Sequence, residues 1–256
     1  MQICDMHTHT RNSSDSKATM EEYCVRALEI GVKTICFTDH VDSNKGDNGC
    51  GFYNADRYFD ELDAVKAKYE NKLTLLSGIE FSEPHMYGEE LSRLNQHPYD
   101  FIIGSVHFPK GDVFLSDMVK QDVPATVCFE HYWDTVLKTA DHGDFDCFGH
   151  FDFPKRYYKT LFYEEAKIRE IFRCMLDNDI CPEINTSSLR KGLETAMPDL
   201  DLLEIYKSLG GTYVTVGSDA HLSAYLGDGN DYARGLIAKL GLTEVIFVGR
   251  KRQIVK

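Results

Sequence analysis

The chain has 256 residues, 43% of them hydrophobic, which is enough to bury a sizeable core. Its 28 basic and 41 acidic side chains give a formal net charge of −13. That balance argues against a protein that binds nucleic acid through a basic patch. No apolar run reaches the length of about 18 residues that a membrane span needs, and the N-terminal residues do not resemble a signal peptide. We expect neither a nucleic-acid partner nor a membrane partner, and the sequence indicates no particular oligomeric state.

Short apolar runs alternate with longer segments of helical periodicity from one end of the chain to the other. The strand candidates are residues 2–6, 32–38, 73–81, 99–106, 145–151, 180–185 and 211–217. The helix candidates are residues 19–30, 55–70, 127–140, 164–178, 199–209 and 229–240. The stretches 41–54 and 108–126 are irregular and are predicted to be loops over the site, whereas 245–256 is predicted to be a final strand with a basic end.

Repeated strand–helix units predict a parallel sheet with right-handed crossovers. Seven such units in a chain of this length favour a closed or nearly closed α/β barrel over an open, doubly wound sheet. No linker, low-complexity tract or internal repeat interrupts the chain, so residues 1–256 are expected to form a single domain. The eight cysteines form no Cys-X-X-Cys pair. Free thiols, and hence a cytoplasmic location, are therefore expected.

Histidines and carboxylates gather at or just after the ends of the strand candidates. The candidate metal ligands are His7, His9, Asp15, His40, Glu80, His107, His150, Asp219 and His221. In a barrel the carboxyl ends of the strands share one rim, where active sites are built. This number of ligands exceeds the roughly four that one zinc ion needs. The sequence therefore predicts two or three metal ions that share ligands, and hydrolysis by metal-activated water.

The spacing of some candidate ligands and the apolar residues around others support their assignment individually. His7 and His9 lie two residues apart after a strand, so they point to the same side and can chelate one ion, although an ordinary surface pair has the same spacing. Asp219 and His221 repeat this arrangement. Glu80 follows an apolar run, and a buried carboxylate is costly unless it is paired or metal-bound. Three dications would outweigh three ligand carboxylates, so an acidic chain can still attract a phosphate at this site.

These motifs, in this order, resemble the polymerase and histidinol phosphatase (PHP) superfamily. They are His7-Thr8-His9, Thr38-Asp39-His40, Gly78-Ile79-Glu80, Gly104-Ser105-Val106-His107, Gly149-His150 and Gly217-Ser218-Asp219-Ala220-His221. Residues 101–108 and 182–191 are similar to the stand-alone histidinol-phosphate phosphatase branch. The resemblance implies a distorted (β/α)7 barrel of the TIM-like kind, with a trinuclear site at the C-terminal rim of the strands.

The resemblance also implies how the ligands divide among the metal ions. His7, His9, Glu80 and Asp219 would hold one ion, and Glu80 would bridge to a second ion held by His107 and His150. Asp15, His40 and His221 would hold the third, with Asp42 as a competitor for the place of Asp15. Zinc, iron and manganese all accept such histidine and carboxylate ligands.

The implied reaction is hydrolysis of L-histidinol phosphate, a small phosphate ester, to L-histidinol and inorganic phosphate in histidine biosynthesis. Glu80 would be catalytic as the bridge, and Asp15 or His221 would assist departure of the alkoxide. Arg156 and Arg190 are predicted to bind the phosphate, because a guanidinium can make paired contacts with its oxygens. For each arginine the alternative is a solvated surface charge.

The sequence allows three further interpretations. Glu83 and His85 are either contacts for the amine or imidazole of histidinol or ordinary loop residues. The protein is alternatively another PHP-type phosphoesterase that acts on nucleotides or other small phosphate esters, or as a nuclease. In a reading of a different class it is a binding protein that keeps the barrel without catalysis.

Overall fold

The computed structural model describes residues 3–255, which contain one nine-stranded sheet in chain order. The strands are β1 (Ile3–Thr8), β2 (Val32–Val41), β3 (Thr74–Ser82), β4 (Phe101–Ser105), β5 (Cys147–Phe148), β6 (Cys181–Asn185), β7 (Tyr213–Gly217), β8 (Thr243–Val248) and β9 (Lys251–Ile254). Successive strands from β1 to β8 pair in parallel, and β9 returns antiparallel to β8. The predicted α/β fold with a parallel sheet is confirmed.

Helices connect the parallel strands. They are α1 (Met20–Ile30), α2 (Ala55–Lys68), α3 (Gly88–Leu94), α4 (Leu115–Lys120), α5 (Ala125–His142), α6 (Lys155–Tyr158), α7 (Glu165–Asp177), α8 (Ser187–Arg190), α9 (Leu200–Ser208) and α10 (Asn230–Leu240). Local sequence fixes the ends of α1: Thr19 and Glu22 form a capping box, and Gly31 ends the helix with left-handed dihedrals. No helix within residues 3–255 has both the length and the apolar character of a membrane-spanning helix.

The sheet curls until its first strand lies beside its seventh. The amide of Asp219 donates to the carbonyl of His7 at 2.8 Å, and the amide of His9 donates to the carbonyl of Ala220, also at 2.8 Å. An isolated parallel bridge between Thr8 and Ala220 joins the same two segments. The carboxyl ends of the seven predicted strands are thereby brought to one rim, as in a barrel.

The inside of this barrel changes from apolar to ionisable along the strands. Met6, Leu76, Cys147 and Cys181 belong to the apolar cluster in its interior. Because side chains on one face recur every second residue, Glu80 faces the same side as Leu76, and Glu183 the same side as Cys181. The helices cover the outside of the sheet with a second, larger apolar cluster.

The observed elements differ from the predicted ones mainly at their ends. Residue 2 of the first predicted strand and residue 256 of the predicted tail lie outside the described residues. The predicted strand 145–151 shortens to Cys147–Phe148, because His150 turns the chain with a φ of 28°. The predicted loop 108–126 contains α4, and the tail forms a hairpin rather than one strand. Gly249 and Arg250, both with positive φ, make its two-residue turn.

Candidate metal centre and active site

The nine predicted ligands converge at the carboxyl ends of the strands. The structure forms three groups whose donor atoms lie within 4.8 Å of one another: His7, His9 and Asp219; Glu80, His107 and His150; and His9, His40 and His221. Asp15 completes the set, since its Oδ2 lies 3.0 Å from His221 Nε2 and 3.7 Å from His40 Nε2. His9 is shared between two groups, whereas the sequence analysis gives it to one ion.

Glu80, at the carboxyl end of β3, lies at the centre of the cluster and is fully buried. Its Oε2 is 3.2 Å from His7 Nε2 and 3.1 Å from His40 Nδ1. Its Oε1 is 2.7 Å from His150 Nε2 and 3.5 Å from His107 Nε2. The two oxygens thus face different ligand groups, which is the arrangement that a bridging carboxylate requires.

The hydrogen bonds behind His7 and His9 determine which ring nitrogens carry protons. Glu183 Oε1 lies 2.7 Å from His7 Nδ1, and Ser13 Oγ lies 3.2 Å from His9 Nδ1. The Ser13 hydroxyl donates to Asp39 Oδ1, so it accepts from His9. When both rings are neutral, as metal ligands must be, their protons therefore lie on Nδ1 and the two Nε2 lone pairs face each other at 3.0 Å. Two facing lone pairs repel unless a cation lies between them, so this pair fits a bound metal ion.

His107 is held in the same way. Ser82 Oγ donates to Asp42 Oδ1 at 2.8 Å and lies 3.0 Å from His107 Nδ1, which must then be the donor. In the neutral ring that can bind a metal ion, the Nε2 lone pair of His107 then faces Glu80 Oε1 at 3.5 Å. Two acceptor atoms again face each other, and a cation bound to both would remove their repulsion. Asp42 thus supports a ligand from behind, while Asp15 is the carboxylate near His40 and His221.

The titration of the metal-free cluster follows from the same contacts. Burial alone would lower the pKa of His107, but the Glu80 carboxylate raises that pKa to about 9. Burial would raise the pKa of Glu80, but the imidazoles of His40, His7 and His150 hold it well below its ordinary value. Without metal, therefore, protons supply the positive charge that the carboxylates need. The donor set is that of a divalent-metal site.

A cavity of about 390 Å³ opens above the cluster. Its wall includes residues from both stretches that were predicted to be loops over the site: Gly46, Asp47 and Asn48 from 41–54, and Phe114, Ser116, Asp117 and Lys120 from 108–126. The prediction that these stretches lie over the site is confirmed, and the volume is suitable for a small ligand.

Arg156 lines this cavity. Its guanidinium donates to Asp219 Oδ2 at 2.7 Å and to the Ser187 hydroxyl, and it packs over the Phe153 ring at 4.7 Å. Within residues 3–255, its buried Nε has no hydrogen-bond partner. The side chain is thus fixed beside a metal-ligand candidate with donor capacity left.

Arg190 lies behind the same region rather than on the cavity wall. Its Nη2 donates to the carbonyl oxygens of Ser218 at 2.7 Å and Asp219 at 3.2 Å, and the guanidinium lies over the Tyr225 ring. In this structure its contacts support the backbone of a ligand-bearing segment.

Comparison with known proteins agrees with this geometry. Residues 5–187 match the PHP domain family. The chain belongs to this family. A "probable histidinol-phosphatase" of Clostridium acetobutylicum is 31% identical over 97% of this chain and 98% of its own length. A histidinol phosphate phosphatase of Lactococcus lactis, solved with zinc, L-histidinol and phosphate, superposes with a TM-score of 0.84 at 26% identity, over 98% of this chain and 99% of that protein.

Sequence reasoning missed one residue that supports the candidate ligands of this PHP domain and gave another a different role. The missed residue is Glu183, which contacts His7 and is buried. Glu83 is buried too, and its Oε1 accepts from the amides of His107 and Phe108 at 2.6 and 3.1 Å. Neither Glu83 nor His85 lines the cavity. The structure therefore places Glu83 as a support for the His107 backbone rather than as a contact for histidinol.

Metal binding by the PHP domain should weaken as the pH falls. His107, with its pKa of about 9 in the metal-free protein, is protonated at neutral pH and must lose that proton to bind an ion. We expect the apparent affinity for Zn²⁺ to drop about tenfold per pH unit for each proton displaced, from about pH 8 to about pH 6.5. Calorimetric titration in two buffers of different ionisation enthalpy measures the protons released. An affinity that is constant over this range would contradict the assignment.

Proposed function

We propose that this chain is a metal-dependent phosphomonoesterase that hydrolyses L-histidinol phosphate to L-histidinol and inorganic phosphate in histidine biosynthesis. The observation that carries the proposal is the joint position of nine histidine and carboxylate ligands, centred on Glu80, at the floor of a cavity whose wall holds Arg156. Relatives that match the chain from end to end are named for this activity, and the Lactococcus lactis structure holds both products of the reaction.

The proposed centre contains two to three divalent ions, of zinc, iron or manganese. His7, His9 and Asp219 would hold one with Glu80, and Glu80 would share a second with its neighbours His107 and His150. The third would lie among Asp15, His40 and His221. The facing lone pairs and the convergence of carboxylates support this division. When bound, such ions activate water and offset the charge of a phosphoryl group.

The chain's own residues would position the ester. Arg156 is proposed as the main phosphate contact, because it lies on the cavity wall beside the candidate ligand Asp219. Arg190 is proposed as a second, weaker contact, since its guanidinium is already engaged with backbone carbonyls. Asp15 and His221, 3.0 Å apart on the cavity wall, are proposed to lie near the leaving alkoxide.

Charge at the cavity favours a small ester of a cationic alcohol. Asp47 and Asp117 lie on the wall with Lys120, which pairs with Asp117 at 2.7 Å. The excess of acidic groups would attract the amine of histidinol and repel a polyanion such as nucleic acid. The acidic cavity wall and the net charge of −13 both argue against the alternative function, a nucleotide phosphoesterase or nuclease. The full set of candidate metal ligands argues against the hypothesis of a non-catalytic binding protein.

We also propose a cytoplasmic location and a single domain. All eight cysteines are free, which supports a reducing, cytoplasmic location. One sheet runs from β1 to β9, which supports a single PHP domain over residues 1–256.

A substrate panel tests the proposed function. We expect the metal-loaded protein to hydrolyse histidinol phosphate with a kcat/KM about ten- to a hundredfold above that for p-nitrophenyl phosphate or AMP, because a charge-assisted contact to the amine is worth roughly 1.5–3 kcal/mol. Phosphate release measures the rate, and chelator-treated protein is the control. Faster hydrolysis of AMP would favour the nucleotide alternative, and binding without any turnover would favour the non-catalytic one.

A further inference from the structure

One buried carboxylate accepts hydrogen bonds from two different ligand groups of the metal centre. Glu183, on β6, is 1% exposed. Its Oε1 accepts from His7 Nδ1 at 2.7 Å, and its Oε2 accepts from the amide of His150 at 2.9 Å and from Asn185 Nδ2 at 3.0 Å. All three partner groups can donate, and the carboxylate lies where it can accept from each of them.

A glycine on the neighbouring strand β7 leaves space for the Glu183 carboxylate. A Cβ at Gly217 would lie 2.1 Å from Glu183 Oε1 and 2.4 Å from His7 Cβ. Gly149 differs, because a Cβ there would be at an ordinary contact distance of 3.6 Å from Glu183 Oε2 and would clash with the Ile103 side chain at 2.7 Å. The glycine that precedes the Ser-Asp-Ala-His segment is therefore explained by close packing against Glu183, since its φ is not in the left-handed region.

We propose that Glu183 is a positioning residue that couples two of the three ligand groups. It keeps the proton of His7 on Nδ1, so that Nε2 is available to an ion shared with His9 and Asp219. It also holds the backbone of His150, whose φ of 28° is one that L-residues rarely adopt.

The inference rests on the proposed metal-dependent function, and an isosteric substitution tests it. In Glu183→Gln an NH₂ group replaces one oxygen. If that group faces His7, it forces the imidazole proton onto Nε2 and removes the lone pair. If it faces the other way, it meets the amide of His150 and the amide of Asn185, donor against donor. Either orientation disturbs a ligand group without a change in volume.

The experiment compares Glu183→Gln with Glu244→Gln. Glu244 is a matched control, because it is also a buried glutamate but lies on β8, with Arg234 at 3.8 Å. Zn²⁺ affinity is measured by chelator competition and metal content by elemental analysis. We expect Glu183→Gln to bind two of its ions about ten- to a hundredfold more weakly, and its kcat to fall more than its KM rises. Glu244→Gln should bind metal as the parent does.

A second variant tests the inference if Glu183→Gln does not fold. Glu183→Asp keeps an acceptor-only group, so its metal affinity should lie between those of the parent and the glutamine variant, or near the parent. Parent-like metal affinity in Glu183→Gln would overturn the inference. If that variant does not fold, a loss of metal affinity of a hundredfold or more in folded Glu183→Asp would overturn it. If the parent itself neither binds metal nor hydrolyses a phosphate ester, the proposed function fails instead.

Discussion

Replacement of Glu80 by alanine is expected to empty two metal positions and to lower kcat/KM by roughly a thousandfold, since lost metal stabilisation of the transition state costs several kcal/mol. The physical reason is that its two oxygens face different ligand groups, at 3.2 Å from His7 Nε2 and 2.7 Å from His150 Nε2. The histidines around position 80 would then lack the central carboxylate whose negative charge offsets the charge of the metal ions. Elemental analysis and phosphate release on the same samples measure both effects.

His40→Ala is the comparison for this variant. His40 belongs to a single ligand group and is partly exposed, so its loss should remove at most one ion and cost less activity than loss of Glu80. The parent protein should hold two to three ions per chain. Equal metal content in Glu80→Ala and the parent would place Glu80 outside the direct ligands.

Arg156→Ala should lower kcat/KM for histidinol phosphate by about ten- to over a hundredfold, the value of a lost charge-assisted contact. The guanidinium lies on the cavity wall, held by Asp219 and Ser187 and packed on Phe153. Arg156→Lys should recover only part of the activity, because an ammonium cannot make two parallel hydrogen bonds to phosphate oxygens. Steady-state kinetics and inhibition by inorganic phosphate measure the effect.

Arg190→Ala distinguishes the two arginines. Its side chain bonds to the carbonyls of Ser218 and Asp219, so its removal should leave metal content intact and cost less activity than Arg156→Ala. Metal content of Arg156→Ala must be measured as well, because Arg156 contacts a ligand candidate. A larger loss in Arg190→Ala, with metal retained, would reverse the assignment of the main phosphate contact.

The convergence of the candidate ligands was predictable because their residue types and their positions agree. A histidine pair two residues apart at the end of an apolar run, as at His7 and His9, specifies both a strand end and a chelate. Glu183 carried a comparable signal, a carboxylate within the apolar run from Ile180 to Ile184, and the argument applied to Glu80 would have identified it.

Other features depend on contacts that a sequence does not display. The direction of Arg190 follows from the short helix α8 and from the Ser218 and Asp219 carbonyls that lie opposite it. The early end of β5 depends on the turn at His150, which Glu183 supports from another strand. Helices as short as α3 and α4 are too brief to show a clear period.

The hydrogen bonds that join β1 to the segment after β7 also bear on how the protein is made. His7 and His9 leave the ribosome first, whereas Asp219, their partner in one ligand group, is among the last ligands to be synthesised. A nascent chain therefore carries an incomplete chelate during most of its translation. The full set of donors forms only when the first and seventh strands meet. In the proposed centre, metal loading would thus be coupled to completion of the fold, and a chain cut short before β7 would have the early histidines but not the full set of candidate ligands.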